Sequence, residues 1–338
     1  MDHPSSFRRL VAAGPAQVFA HLPAEAATWG WANCGLVLHE DRALLVDTPY
    51  TPALTERMLA RIEQRLPGTR VDQVVITHAN GDHCWGLPAL PADVPVIATE
   101  ATAHAFCHEP SPERVVALLE RTDPASELGG YLRANFPFDF AEARLRTPDR
   151  TFSGTSSLRV GATEVRLIEA GAGHSAGDLL VHVPELTTVY AGDVLFVGHH
   201  PVTWASLTGA IAALDTLLGL AAGIIVPGHG PVCGPAEAER MRGYFELLGA
   251  HAERSHARGL SPLEAARRFV PPAFAAGWRL PERMVVTIAA HYRELDGDRA
   301  APDMIALMAD CARYAASAPA LPGPRPADTA PALAERPR

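Results

Sequence analysis

Short apolar runs alternate with amphipathic stretches over residues 1–230. The runs GLVLHE and ALLVDT lie on either side of Glu40–Asp41, a pattern that predicts a β-hairpin. Residues 52–66 carry apolar side chains at every fourth position, which predicts an amphipathic helix that ends at a Leu-Pro-Gly sequence. A second helix is predicted at 209–221.

Seven further apolar runs have the composition of buried strands. They are VDQVVITH (71–78), VPVIAT (94–99), LRV (158–160), TEVRLIEA (163–170), LLVHVP (179–184), TTVYAGD (187–193) and GIIVP (223–227). Strands in two groups, each followed by helices, predict a layered α/β fold with the helices outside. Nearly every strand ends in a cluster of His, Asp or Gly residues, so the strand ends are where we expect the chemistry.

The pattern also predicts how the chain is divided. Residues 100–145 are helical but interrupted by prolines, and we interpret them as a helical insertion in a first domain over 1–234. A helical C-terminal extension is predicted over 235–318, and the proline-rich residues 319–338 are predicted to be a disordered tail.

Charge and composition exclude several classes of function. All 29 basic residues are arginine, so chemistry that depends on a Schiff-base or phosphate-binding lysine is excluded. The net charge of −9 and the lack of a basic tract argue against a nucleic-acid or anionic-membrane partner. The five cysteines form no CxxC pair, no signal-peptide pattern is present, and no apolar stretch approaches ~18 residues. We therefore expect a cytoplasmic protein with free thiols and no membrane span.

The sequence THANGDHCWG concentrates metal-binding side chains at the end of a predicted strand. It offers His78, Asn80, Asp82 and His83 within six residues. A turn between a strand and a loop can bring these side chains to one point, and imidazole and carboxylate are ligands that zinc uses. Three later strand ends each add one such side chain next to small residues, namely His174 in GAGHSAGD, Asp193 in YAGD and His229 in VPGHG.

These motifs, preceded by VDT with Asp47, resemble in their order those of the metallo-β-lactamase superfamily over residues 25–235. The resemblance implies an α/β fold, the αββα four-layer sandwich, with two facing sheets and the metal site at one edge of the β-core. The resemblance assigns His78, the position of Asn80, and His174 to a first metal site, and Asp82, His83 and His229 to a second, with Asp193 bridging the two. It also implies that Asp47 orients a ligand through hydrogen bonds.

The sequence departs from the family pattern at one position. Asn80 stands where the family has a second histidine, and an amide oxygen is a poor zinc ligand beside imidazole. We interpret Asn80 as a weak ligand or as a hydrogen-bond donor to bound water. Two zinc ions are expected, with a single ion as the alternative that Asn80 leaves open, and iron or manganese in place of zinc also stays open.

The resemblance predicts a hydrolase in which a metal-bound hydroxide cleaves an ester, thioester, lactone or amide of a small metabolite, with Asp82 accepting or relaying the proton. An aromatic polyketide cyclase or product-releasing thioesterase is the alternative, and a non-catalytic binding protein with a degenerate site is a second one. The expected partner is a small molecule, free or linked to a carrier protein or coenzyme A, and a homodimer is compatible with the sequence. Cys84 and Cys233 are interpreted as ordinary thiols rather than nucleophiles.

Aromatic and histidine side chains near these motifs are candidates for the substrate pocket. Trp31 precedes the first predicted hairpin and could overhang the metal site. His199, His200 and Trp204 follow Asp193 in the segment GHHPVTWASL and could line the pocket.

Overall fold

The computed structural model describes residues 5–24, 28–108, 110–298, 300 and 302–317. They form two β-sheets that face each other, with helices covering both outer surfaces. The predicted tail at 319–338 lies outside the described residues.

The first sheet has seven strands in the order β1-β2-β3-β4-β5-β6-β7. They are β1 (Ser5–Ala13), β2 (Ala16–Pro23), β3 (Cys34–His39), β4 (Arg42–Val46), β5 (Arg70–Val75), β6 (Val96–Thr99) and β7 (Arg150–Phe152). Strands β1 to β4 pair antiparallel, whereas β4 to β7 pair parallel. The predicted hairpin is therefore the β3–β4 pair, in which Leu36 lies opposite Leu45.

The second sheet has five strands in the order β12-β11-β10-β9-β8. They are β8 (Thr155–Val160), β9 (Thr163–Gly171), β10 (Asp178–Val183), β11 (Thr188–Phe196) and β12 (Ile224–His229). Strands β8 to β11 pair antiparallel, and β12 adds parallel to β11 after a helical connection. Every strand predicted in this half of the chain is present.

Ten helices are described. They are α1 (Pro52–Arg65), α2 (Gly81–Cys84), α3 (Glu100–Ala105), α4 (Pro112–Arg121), α5 (Glu127–Asn135), α6 (Leu207–Gly219), α7 (Pro235–His256), α8 (Pro262–Arg268), α9 (Arg283–Asp296) and α10 (Met304–Ser317). The helix predicted at 52–66 is α1, which Thr51 caps by accepting a hydrogen bond from the Leu54 amide. None of the described helices combines the length and the apolar composition that crossing a bilayer requires.

Three groups of buried apolar side chains hold the layers together. Between the sheets, Val37 and Val46 of the first sheet pack with Leu167 and Val181 of the second. Met58 of α1 packs on the outer face of the first sheet, and helices α6, α7 and α9 pack on the outer face of the second. The αββα sandwich with C-terminal helices is thus confirmed.

Some elements differ from the pattern. The hairpin β1–β2 was not predicted, because half or more of the side chains of β1 are exposed and its apolar residues alternate poorly with Arg8 and Arg9. Within 100–145, helix α5 ends at Asn135, and residues 136–149 form neither helix nor strand. Phe140 in that segment is buried in the core instead.

Candidate metal centre

The predicted ligands meet at one edge of the sandwich. The loop after β5 carries His78 and leads into the short helix α2, which carries Asp82 and His83. His174 follows β9, and the remaining ligands lie on β11 and β12. The side chains of His78, His83, His174 and Asp193 are at least 95% buried.

One group of ligands surrounds Oδ1 of Asp193. His83 Nε2 lies 3.2 Å and His229 Nε2 lies 3.4 Å from this oxygen, and His229 Nε2 lies 3.3 Å from Asp82 Oδ2. A tetrahedral ion with bonds of about 2.0–2.1 Å holds its ligand atoms about 3.3 Å apart. These three spacings match the edges of one zinc coordination shell, whereas His83 Nε2 and Asp82 Oδ2 lie further apart, at 4.0 Å.

The other oxygen of Asp193 faces a second group of ligands. Its Oδ2 lies 3.3 Å from His174 Nε2 and 3.9 Å from His78 Nε2. The two carboxylate oxygens thus point to different imidazoles, the arrangement that a bridging carboxylate requires. Two overlapping sets of ligand atoms, His78–His83–Asp193 and Asp82–His83–His229, are each contained within 4.8 Å.

Unsatisfied atoms show that these residues suit a cation. His78 Nε2, His83 Nε2 and Asp193 Oδ1 are buried and have no hydrogen-bond partner among the described residues. A buried polar atom without a partner costs roughly 1–3 kcal/mol. A divalent ion at the centre would satisfy all three atoms together, so the donor set fits a metal.

Asp47 orients the imidazoles from behind. Its Oδ2 accepts hydrogen bonds from His83 Nδ1 at 2.8 Å and from the Thr77 hydroxyl at 2.8 Å, and its Oδ1 accepts one from the Thr77 amide at 2.7 Å. Because the Thr77 hydroxyl donates to Asp47, it can accept from His78 Nδ1, which lies 3.1 Å away. Both histidines consequently present Nε2 to the centre.

The loop that carries His174 is fixed by its own residues. Asp178 accepts hydrogen bonds from the amides of His174 at 2.7 Å and Ser175 at 2.9 Å. His174 Nδ1 donates to the Val202 carbonyl at 2.8 Å, which leaves Nε2 as the ligand atom. That Nε2 lies 2.7 Å from the side-chain oxygen of Asn80.

Asn33 holds the loop that carries His229. Its side-chain amide donates to the carbonyls of Pro227 at 2.9 Å and Gly230 at 2.8 Å, and its backbone amide donates to the Gly228 carbonyl at 2.7 Å. A Cβ at position 228 would lie 1.8 Å from Asp193 Oδ1, so only glycine fits there.

Opposite charges at the centre set the ionisation of its residues. Burial raises the pKa of Asp193, but His229, His83 and His174 outweigh it and hold that pKa well below the usual range. Burial lowers the pKa of His83, but the carboxylates of Asp193 and Asp47 outweigh it and raise that pKa. Burial, with His83 next, lowers the pKa of His78. Without a cation the cluster therefore attracts protons, and a bound metal would replace them.

A cavity of about 170 Å³ opens beside the centre. Trp31, Asn33, His199 and His229 line it, so a bound molecule in the cavity reaches a metal ligand directly. Asp82 lies on the accessible side of the centre, with 13% of its side chain exposed, against 5% for Asp193.

Two of the predicted pocket residues contact other aromatic side chains. His200 Nδ1 lies 2.8 Å from the Tyr244 hydroxyl, and its ring packs against Trp278. Trp204 packs against Trp29, with 6.0 Å between ring centroids. Neither side chain is among those that line this cavity, although the neighbouring His199 is.

The cysteines are all free thiols. Cys84, next to His83, directs its sulfur to the carbonyls of Ala79 at 3.4 Å and Asn80 at 3.3 Å, away from the ligand atoms. Burial raises the pKa of Cys233 to about 12, which is unsuited to a thiolate nucleophile at neutral pH.

Sequence reasoning missed three residues that the structure brings to the centre. Thr77 and Asn33 lie directly beside motifs that were recognised, so a search for polar neighbours of those motifs would have found them. Arg283 begins α9, more than fifty residues after His229, and no local pattern marks it.

Comparisons with known proteins bear on the family and the fold of this chain. The sequence model of the metallo-beta-lactamase superfamily matches residues 27–229. A metallo-beta-lactamase from Pontibacter korlensis superposes with a TM-score of 0.54 at 19% identity, covering 71% of this chain and 99% of that one. The sec-alkylsulfatase Pisa1 from Pseudomonas sp. gives a TM-score of 0.63 at 14% identity, covering 85% of this chain and 50% of that one.

A curated relative is similar in sequence. A nitric oxide reductase from Moorella thermoacetica is 23% identical over 185 residues, which are 55% of this chain and 38% of that protein. The chain therefore spans well under half the length of this relative. The likeness to the solved structures shows the shared fold.

Proposed function

Because this chain belongs to the metallo-beta-lactamase superfamily, we propose that it is a metal-dependent hydrolase that cleaves an ester, thioester, lactone or amide of a small metabolite. The observation that carries the proposal is the pair of Asp193 oxygens, which face two groups of imidazoles whose Nε2 atoms lie 3.2–3.9 Å away.

Zinc is the metal that this donor set favours, because imidazole nitrogen and carboxylate oxygen at these spacings suit its tetrahedral geometry. One ion would be held by Asp82, His83, His229 and Asp193, and a second by His78, His174 and Asp193. When bound, such an ion acts as a Lewis acid toward a carbonyl and lowers the pKa of water.

The protein supplies proton transfer and orientation. Burial raises the pKa of Asp82, but His83 and His229 outweigh it and lower that pKa to about 2, so the Asp82 carboxylate is ionised. An ionised Asp82 can accept a proton from attacking water and return it to the leaving group. Asp47 and Asn33 keep His83 and His229 in place during this exchange.

The cavity favours hydrolysis over the polyketide alternative. Ligand sites for drug-sized molecules commonly measure about 300–1,000 Å³. A cavity of about 170 Å³ suits the acyl part of a small metabolite, whereas a folded poly-β-ketone needs more room. Six of the seven candidate ligand positions carry a histidine or an aspartate, which favours an enzyme over a binding protein with a degenerate site.

Hydrolysis of activated substrates tests the proposal. We expect the zinc-loaded protein to turn over at least one of a neutral 4-nitrophenyl ester, a thioester and a lactone, measured as product release against time. Cys84→Ser is the matched control and should keep most of this turnover, because its sulfur faces backbone carbonyls. A folded, zinc-loaded protein that cleaves none of these bonds would show that the proposed function is wrong.

Asn80 gives a second prediction. We expect Asn80→His to raise the metal content toward two ions per chain and to lower turnover, because imidazole adds a strong ligand but removes the amide beside His174. Asn80→Ala should lower turnover at unchanged metal content. Metal analysis and turnover are measured on the same two variants.

The opposite result for Asn80→His would contradict this prediction. If Asn80→His gains metal and activity together, Asn80 is simply an impaired ligand, and its hydrogen-bonding role is refuted.

A further inference from the structure

Arg283, the first residue of α9, is an unusual side chain for the interior. It is the one arginine among the described residues that is buried, with 2% of its surface exposed. Its Nε and Nη1 have no hydrogen-bond partner in the part of the chain that the structure describes. The neighbouring carboxylate of Glu282 accepts a hydrogen bond from the Tyr131 hydroxyl at 3.1 Å.

Burying a guanidinium with two unpaired nitrogens destabilises the folded state, because both its charge and its N–H groups are withdrawn from water. Two aromatic rings offset part of this cost. The guanidinium carbon lies 4.6 Å from the Trp29 ring centroid and 5.3 Å from that of Phe196. Both distances lie within the range of a cation–π interaction, and neither ring offers an oxygen to the unpaired Nε and Nη1 groups.

Arg283 lies close to the metal centre. The ring of Phe196, which the guanidinium contacts, stacks parallel to the His229 imidazole, with 5.3 Å between centroids. Burial lowers the pKa of Arg283, and the carboxylates of Asp193, Glu282 and Asp82 oppose that effect. One aromatic ring therefore separates this positive charge from a ligand of the centre.

Two further polar atoms in the same region lack partners among the described residues. Trp29 Nε1 and His199 Nδ1 are both buried and unpaired. His199 lines the cavity together with His229. Burial, with Arg283 next, lowers the pKa of His199 well below its usual range, so this imidazole is neutral and can donate one hydrogen bond.

We propose that Arg283 binds an oxyanionic group of the substrate, a carboxylate or a sulfate, next to the stacked rings of Phe196 and His229 at the metal centre. The oxygens of such a group would accept hydrogen bonds from the guanidinium and from a neutral donor such as the Trp29 indole. The buried N–H groups that now lack a partner would then be hydrogen-bonded. This inference rests on the proposed function and names the substrate class of the same site: a hydrolysable bond at the metal centre with an anionic group nearby.

A matched pair of esters tests the inference. 4-Nitrophenyl acetate is neutral, and 4-nitrophenyl hemisuccinate carries a carboxylate with the same leaving group. We expect the native enzyme to prefer the anionic ester, and Arg283→Gln to lower the ratio of their kcat/KM values by about tenfold or more, mainly through KM. Arg267→Gln removes an exposed arginine and should leave the ratio unchanged. An unchanged ratio in Arg283→Gln would overturn the inference.

Anion binding provides a readout that does not depend on turnover. Sodium sulfate and sodium acetate should each raise the Tm of the native metal-loaded protein above its value in sodium chloride of equal ionic strength. The salt that gives the larger increase in Tm shows whether the site prefers a sulfate or a carboxylate. The shift should be lost in Arg283→Gln, and a shift of equal size in that variant would contradict a role for Arg283.

Arg283→Met separates recognition from a structural role. Methionine fills a similar volume without charge, so this variant should fold with an equal or higher Tm while losing the preference for the anionic ester. A fall in Tm with the preference retained would show that Arg283 is only structural. If the native enzyme cleaves neither ester but keeps the Arg283-dependent anion shift, the proposed function fails and the anion site stands.

Discussion

Asp193→Asn should lower the turnover of any substrate of this protein by about three orders of magnitude or more. Among the described residues, Asp193 is the one whose side chain faces both groups of imidazoles, through Oδ1 toward His83 and His229 and through Oδ2 toward His174. An asparagine presents one oxygen and one NH₂ group, and the NH₂ group cannot bind a cation. Both ions should therefore bind more weakly, which metal titration of the purified variant would measure.

Asp47→Asn is the matched comparison for this prediction. The substitution also replaces a buried carboxylate by an amide of the same size, and asparagine tolerates the left-handed backbone at position 47, where φ is 61°. Asp47 touches His83 only through Nδ1, so we expect metal affinity to fall by about 10–100-fold. An Asp193→Asn protein that binds metal and turns over like the native one would refute the bridging role.

The sequence predicted the strands, and the candidate ligands that meet at one edge, because both depend on local signals. Buried strands such as β10 and β11 are continuous apolar runs, and each ligand follows or ends such a run next to glycine. A turn between a strand and a loop can bring such side chains to one point, and the resemblance to the family implied a site at one edge of the β-core. The structure places His78, Asp82, His83, His174, Asp193 and His229 together at that edge.

The residues that sequence reasoning missed act through contacts between distant parts of the chain. Asn33 holds a loop almost two hundred residues later, and Arg283 reaches the centre only because α9 packs on the second sheet. Helix packing likewise brings the Tyr244 hydroxyl of α7 to His200 Nδ1. Such contacts depend on how the helices pack, which periodicity alone does not encode.

Removal of the metal should also have a large effect, on both turnover and stability. The buried cluster of carboxylates and imidazoles would lose the cation that satisfies His78 Nε2, His83 Nε2 and Asp193 Oδ1, so the folded state should become less stable. A ligand present at 1,000 times its Kd stabilises the native state by about 4 kcal/mol. Chelation should therefore abolish turnover and lower Tm, and added zinc should restore both.

Elemental analysis of the purified protein before and after chelation, with Tm recorded on the same samples, tests the metal centre most directly. We expect about one to two equivalents of a transition metal per chain, lost on chelation together with activity and several degrees of Tm. A protein that is purified without metal, and whose Tm does not change with chelator or with added zinc, would contradict the assignment of this site as a metal centre.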